Sequence, residues 1–223
     1  MAVGITKPSS QIGDTGALSV YSMSPTFLPP AYAKIVVVAH ASGTVTGSIS
    51  GTGTTFTFIA SQNTQALGGS VCMWEMDAPA LPTSVSINVD YTGDAATGCT
   101  AAAVQITGQA AAVVANQVVN VNSVGPNPVV TFPQPVLSGN AVVVGIPAPG
   151  ALCTYTPPAG WTSITASYGT PATGLGLFYA TAVAGATFTF STGAQADLGY
   201  VAVEYSVAGD TYDSMGMMGV FGL

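Results

Sequence analysis

Apolar and polar residues alternate in short runs along this chain. From Thr54 to Ile59 the pattern puts Phe56 and Phe58 on one face, and from Thr83 to Asp90 it groups Val85, Ile87 and Val89. Ala186 to Ser191 repeats it with Phe188 and Phe190, and Tyr200 to Ser206 with Val201, Val203 and Tyr205. A period of two is the mark of β-strands that bury one face. Gly, Pro, Ser and Asn separate the runs, as they do between strands. No window holds a helical period. The Ala-rich piece from Ala101 to Ala115 is interrupted by Gly108, and Val113, Val114, Val118 and Val119 favour strand. The pattern predicts an all-β protein.

The order of these runs repeats. The first half carries Ile35 to Val38, a Gly/Thr-rich stretch, Val71 to Ala80, the alternating run after Thr83, and Ala103 to Gly108. The second carries Ala141 to Val144, Pro157 to Ile164, Leu175 to Gly185, the run after Ala186, and Val203 to Ser206. A Pro-rich lead-in precedes each half, at Val20 to Pro30 and at Val121 to Pro133. Two tandem antiparallel β-sandwich units, Ig-like or jelly-roll-like, follow from this repeat. The predicted division is an extended segment over 1–19, a first sandwich over 20–115, a second over 116–208 and an apolar C-terminal arm over 209–223.

Composition narrows the function. Of 223 residues 48% are hydrophobic and 5% charged, against about 25% charged in ordinary soluble domains. Lys7 and Lys34 are the two cations, and the net charge is −7. Such a surface cannot neutralise phosphates, so neither nucleic acid nor an anionic membrane is an expected partner. The apolar runs are strand-sized, well short of the roughly 20 residues a membrane helix needs. The first residues lack the basic and apolar regions of a secretory signal, so synthesis in a cytoplasm is the expectation, with the protein staying there or leaving by lysis. Cys72, Cys99 and Cys153 have no metal-ligand spacing and read as buried thiols. A Cys72–Cys99 disulfide would require an oxidising compartment.

Candidate chemistry is sparse. Glu75 and Asp77 stand two residues apart on a strand, about 7 Å from each other, which suits the carboxylates of an inverting glycosidase. On that strand Cys72, Trp74 and Met76 form a core stripe, so the carboxylates are expected on the solvent face. The corresponding stretch from Leu177 has no carboxylate. His40, the one histidine, lacks a nucleophile elbow and reads as a strand-end residue. Asn88 to Asp94 offers oxygen ligands in a turn without EF-hand spacing, and Asp210 and Asp213 are similar. No catalytic residue, metal site or cofactor is expected. Trp74 and Trp161 would stack on a glycan if their rings were exposed.

The piece Pro158-Ala-Gly-Trp161-Thr162 and the closing Glu204-Tyr205-Ser206 carry a resemblance to tandem β-sandwich repeat domains of tailed-bacteriophage structural proteins, with similar repeats in some secreted bacterial proteins. The resemblance covers about two-thirds of the chain and brings no catalytic residue with it. The first half departs from it, with Gln105-Ile106-Thr107 where Glu-Tyr-Ser would stand. The resemblance implies a non-enzymatic virion protein: capsid decoration or a head fibre, alternatively a tail or collar component. Its partners would be capsid or tail proteins and further copies of itself. A glycan-binding adhesin, a surface filament subunit and a hydrolase are the competing classes. After the last strand, Met215, Met217, Met218, Val220, Phe221 and Leu223 alternate with glycine. Soft apolar side chains on a Gly-rich segment suit an arm that buries itself against a partner.

Overall fold

The computed structural model describes residues 3–8, 11–42, 48–51, 55–64, 69–91, 96–108, 115–123, 127–148, 155–165, 174–192 and 198–206. Every regular element among them is a strand. The first half contributes β1 (Gly4–Thr6), β2 (Gln11–Leu18), β3 (Val20–Ser22), β4 (Lys34–Ser42), β5 (Ser48–Gly51), β6 (Thr57–Thr64), β7 (Gly69–Asp77), β8 (Ile87–Asp90) and β9 (Ala96–Thr107). The second contributes β10 (Ala115–Ser123), β11 (Val129–Val136), β12 (Ala141–Ala148), β13 (Tyr155–Thr156), β14 (Thr162–Thr165), β15 (Gly174–Ala180), β16 (Gly185–Thr189), β17 (Ser191–Thr192) and β18 (Leu198–Tyr205).

Each half is built on one large antiparallel sheet. In the first its order is β1-β9-β4-β7-β6, with β2 sharing the β9 edge; in the second it is β10-β18-β12-β15-β14. Smaller sheets cover the outer faces: β3-β8-β5 in the first half, and the pairs β11-β16 and β13-β17 in the second. Two sandwich cores result. One gathers Tyr21, Ile35, Val37, Cys72, Trp74, Met76, Val85, Ile87 and Val89. The other gathers Val130, Phe132, Val142, Val144, Trp161, Phe178, Phe188, Phe190 and Tyr200. The Val85, Ile87, Val89 face and the Phe188, Phe190 face therefore lie inward as their alternation predicts. Phe58 differs from its expected burial: it remains 46% exposed at the sheet edge, edge-on to Trp74.

A third apolar cluster joins the halves. Val36, Val38, Val71, Met73, Ala102, Val104 and Ile106 from one large sheet pack against Ala141, Val143, Leu175, Leu177, Val201, Val203 and Tyr205 from the other. The two sandwiches thus stand back to back, in four layers. The central strands bury both faces, which is why β4 and β12 read as unbroken apolar runs rather than as alternation. Val201, Val203 and Tyr205 do share a face, as predicted, but that face is the junction and not a sandwich core.

The packing is reciprocal. β9 lies against β15 while β18 lies against β7, and β4 and β12 face each other. In the ladders, Val38 pairs with Met73 and Ala102, and Gly145 pairs with the corresponding Leu177 and Val201. Val38 and Gly145 are therefore equivalent positions of the repeat, and they meet each other. A Cβ placed on Gly145 would come within 2.4 Å of Val38 Cγ1. Equivalent residues touch only where a two-fold relation places them on its axis.

The N-terminal segment is extended and paired. β1 pairs with Gln105 to Thr107 and β2 with Ala96 to Ala102, so both complete the first large sheet at the edge that β10 occupies in the second. Short polar runs such as Gln11 to Gly16 carry too little apolar signal to announce a strand whose ladder is provided by a neighbour. The C-terminal arm, with Met215, Met217, Met218, Val220, Phe221 and Leu223, lies outside the described residues, as do Cys153, Asp94, Asp210 and Asp213.

Candidate functional site

Polar side chains gather where β4, β7 and β18 meet at one end of the junction. Strand alternation puts Lys34, Val36 and Val38 on the junction face of β4, and Val71, Met73 and Glu75 on that of β7. Lys34 stands directly opposite Asp77 in the ladder, and Val36 opposite Glu75. Lys34 Nζ lies 2.9 Å from Asp77 Oδ1 and 3.4 Å from Glu75 Oε1. The Tyr205 hydroxyl, from the other half, donates to Glu75 Oε2. The ammonium also sits 5.5 Å from the centre of the Tyr205 ring, within reach of a cation–π attraction.

Glu75 thus departs from the solvent face expected of it, whereas Asp77 keeps to it. The second sandwich covers that side of the sheet, leaving the Glu75 side chain 19% and Asp77 42% exposed. Both carboxylates engage one buried ammonium. Burial is the main cause that lifts the Tyr205 hydroxyl well above its ordinary value, followed by the negative charge and hydrogen bond of Glu75 and the charge of Asp77. The phenol is held in its protonated, donating form. A cavity of about 390 Å³ opens beside the cluster, lined by Lys34, Thr55, Thr57, Glu75, Met76, Asp77 and Pro79.

A second polar site holds the far sandwich together. Glu204 is fully buried, yet its carboxylate accepts from Asn140 Nδ2 at 2.6 Å, Gln117 Nε2 at 2.6 Å and the Leu137 amide at 3.1 Å. Three donors compensate the ion's desolvation and tie β10, β18 and the turn before β12 together. Gln105 occupies the equivalent place in the first half and accepts from Thr6 Oγ1 at 3.4 Å. The Glu-Tyr-Ser of the repeat therefore has two structural duties: Glu204 inside one sandwich, Tyr205 across the junction.

His40, Trp74, Trp161, Cys72 and Cys99 are all buried. His40 is buried on the junction face, and its Nδ1 donates to the Gly174 carbonyl of the other half at 2.8 Å. Trp74 and Trp161 are both buried, at 2% and 8% exposure, so neither offers a ring face to a sugar. Their size and β context made them glycan candidates, and the same apolar area makes them core anchors. Trp161 packs edge-on to Phe188 and Phe190. Cys72 and Cys99 are thiols buried in the first core and not joined in a disulfide, on strands separated by β4. Among the described residues no three His, Cys, Asp or Glu side chains cluster as a metal site. The Lys34–Glu75–Asp77–Tyr205 group was missed from sequence because it needs the register of three strands. The one available signal was Lys34 itself, a charge inside an apolar run. Set against known proteins, the chain matches no family model, no curated protein and no solved structure.

Proposed function

We propose that this chain is a non-enzymatic structural protein of a bacteriophage virion, a capsid decoration or head-fibre subunit, attached to capsid proteins and to copies of itself. The observation that carries the reading is the junction. Two sandwiches share a continuous apolar interface clamped by Tyr205, Glu75, Lys34 and His40, which makes a stiff unit suited to bearing load. The polar groups of the junction are engaged with one another, as a building element requires and a catalytic cleft does not. Apolar surface for assembly is also present. Leu81 is 87% and Leu28 65% exposed, with Tyr32 half-exposed, on two segments that run side by side through the Tyr32 amide and Pro79 carbonyl and the Phe27–Val85 bridge. Repeated copies turn weak contacts of this kind into stable attachment.

The test is quantitative proteomics on purified particles from the source, using Asp-N or chymotrypsin because the chain has so few cations. Copy numbers near that of the major capsid protein support decoration; a few to a few tens, at a level set by symmetry, point to fibre, collar or tail. Absence from particles rejects the virion assignment.

A further inference from the structure

The cluster at the junction has the parts and placement for an internal covalent bond. We propose that Lys34 Nζ and Asp77 Cγ condense to an amide that links β4 to β7, with Glu75 moving the protons. This inference is independent of the virion assignment.

The geometry is specific. Lys34 and Asp77 are directly opposed, and the neighbouring Ala78 amide donates to the Ala33 carbonyl. That makes Lys34 and Asp77 a non-hydrogen-bonded pair, the kind whose side chains approach more closely. The amine already lies 2.9 Å from one Asp77 oxygen. Groups held at such range react as though at very high concentration. Glu75 is not free to turn away: Tyr205 holds its Oε2, and its Oε1 faces the amine. Lys34 is 2% exposed, so the ion pair keeps a desolvated ammonium, and the amide removes that charge together with the carboxylate's. In a chain with two cations, the one inside the fold is the one so placed.

The step balances without any other reagent. Glu75 takes a proton from the Lys34 ammonium and passes it to the Asp77 carboxylate, leaving an amine and a carboxylic acid. The nitrogen lone pair attacks Cγ. Glu75 removes a second proton from nitrogen and delivers it to the departing hydroxyl, which leaves as water with the C–O bonding pair. Ammonium and carboxylate become one amide and one water; nothing is oxidised or reduced, and Glu75 ends as it began. Asp77 borders the open cavity, which gives the water its way out.

Intact-mass spectrometry of the purified full chain decides the matter. The expected mass is that of the sequence less one water, with fragmentation placing the link between peptides containing Lys34 and Asp77. A second readout is trypsin on denatured protein. Lys7 precedes a proline, so Lys34 is the one useful site, and an amide there blocks the cut. Glu75→Gln and Asp77→Ala are expected to recover the water and the cut. A wild-type mass equal to the sequence mass, with cleavage at Lys34, overturns the bond. So does a water loss that leaves Lys34 cleavable, which marks a cyclised aspartate instead. A link that persists in Glu75→Gln overturns the role given to Glu75. The wild-type measurement stands even if a variant fails to fold.

Discussion

At the scale of single residues, the buried polar groups carry the sharpest expectations. Glu204 is fully buried, with a donor on each carboxylate oxygen. Glu204→Gln puts an amide NH₂ against donors, and should lower stability by about 1–3 kcal/mol, read as a lower denaturant midpoint at unchanged slope. The Tyr205 hydroxyl is raised well above its ordinary value by burial and by Glu75, and Tyr91 likewise, by burial first and then by the Cys99 and Cys72 thiols. A raised value in the folded state means that the unfolded chain loses these protons first as pH climbs. Their contribution is complete below about pH 10 and is lost as pH rises from there through the folded-state value. Stability measured across that alkaline range should fall less steeply in Tyr91→Phe than in the wild type; an identical slope would show that Tyr91 does not titrate on unfolding.

At the scale of elements, the junction depends on close approach of β4 and β12. Gly145 leaves room for Val38 and for nothing larger. Gly145→Val should destabilise by about 1–3 kcal/mol through overpacking, and combining it with Val38→Ala should recover part of that loss in a double-mutant cycle. Purely additive effects would mean that the two positions do not touch. This scale also shows what could be read in advance. Strands such as β8 and β16 were legible because each buries one face, and period two survives in Val85, Ile87, Val89 and in Phe188, Phe190. The role of β4 and β12 was not, because a strand buried on both faces loses its alternation and looks the same whatever covers it. Glu75 was assigned to the correct face of β7, opposite Trp74, yet what lay beyond that face belonged to Tyr205, far along the chain. Local pattern fixes facing; only tertiary register supplies the partner.

At the scale of the whole molecule, the shared cluster predicts cooperativity. Two sandwiches joined by a linker alone would melt independently. Here Val36, Val38, Val143 and Val203 lose their cover if either half opens, so calorimetry should record one transition with matching calorimetric and van't Hoff enthalpies. Two resolved transitions would show that the halves are thermodynamically separate. The meeting of Val38 with Gly145 also governs which surfaces can mate. Two first halves brought together in the same way would set valine against valine with no space for either. Two second halves would leave glycine facing glycine across a gap. The unlike pair alone closes, so a first half mates only with a second half, and like halves of neighbouring copies crowded at high density are kept from pairing with one another.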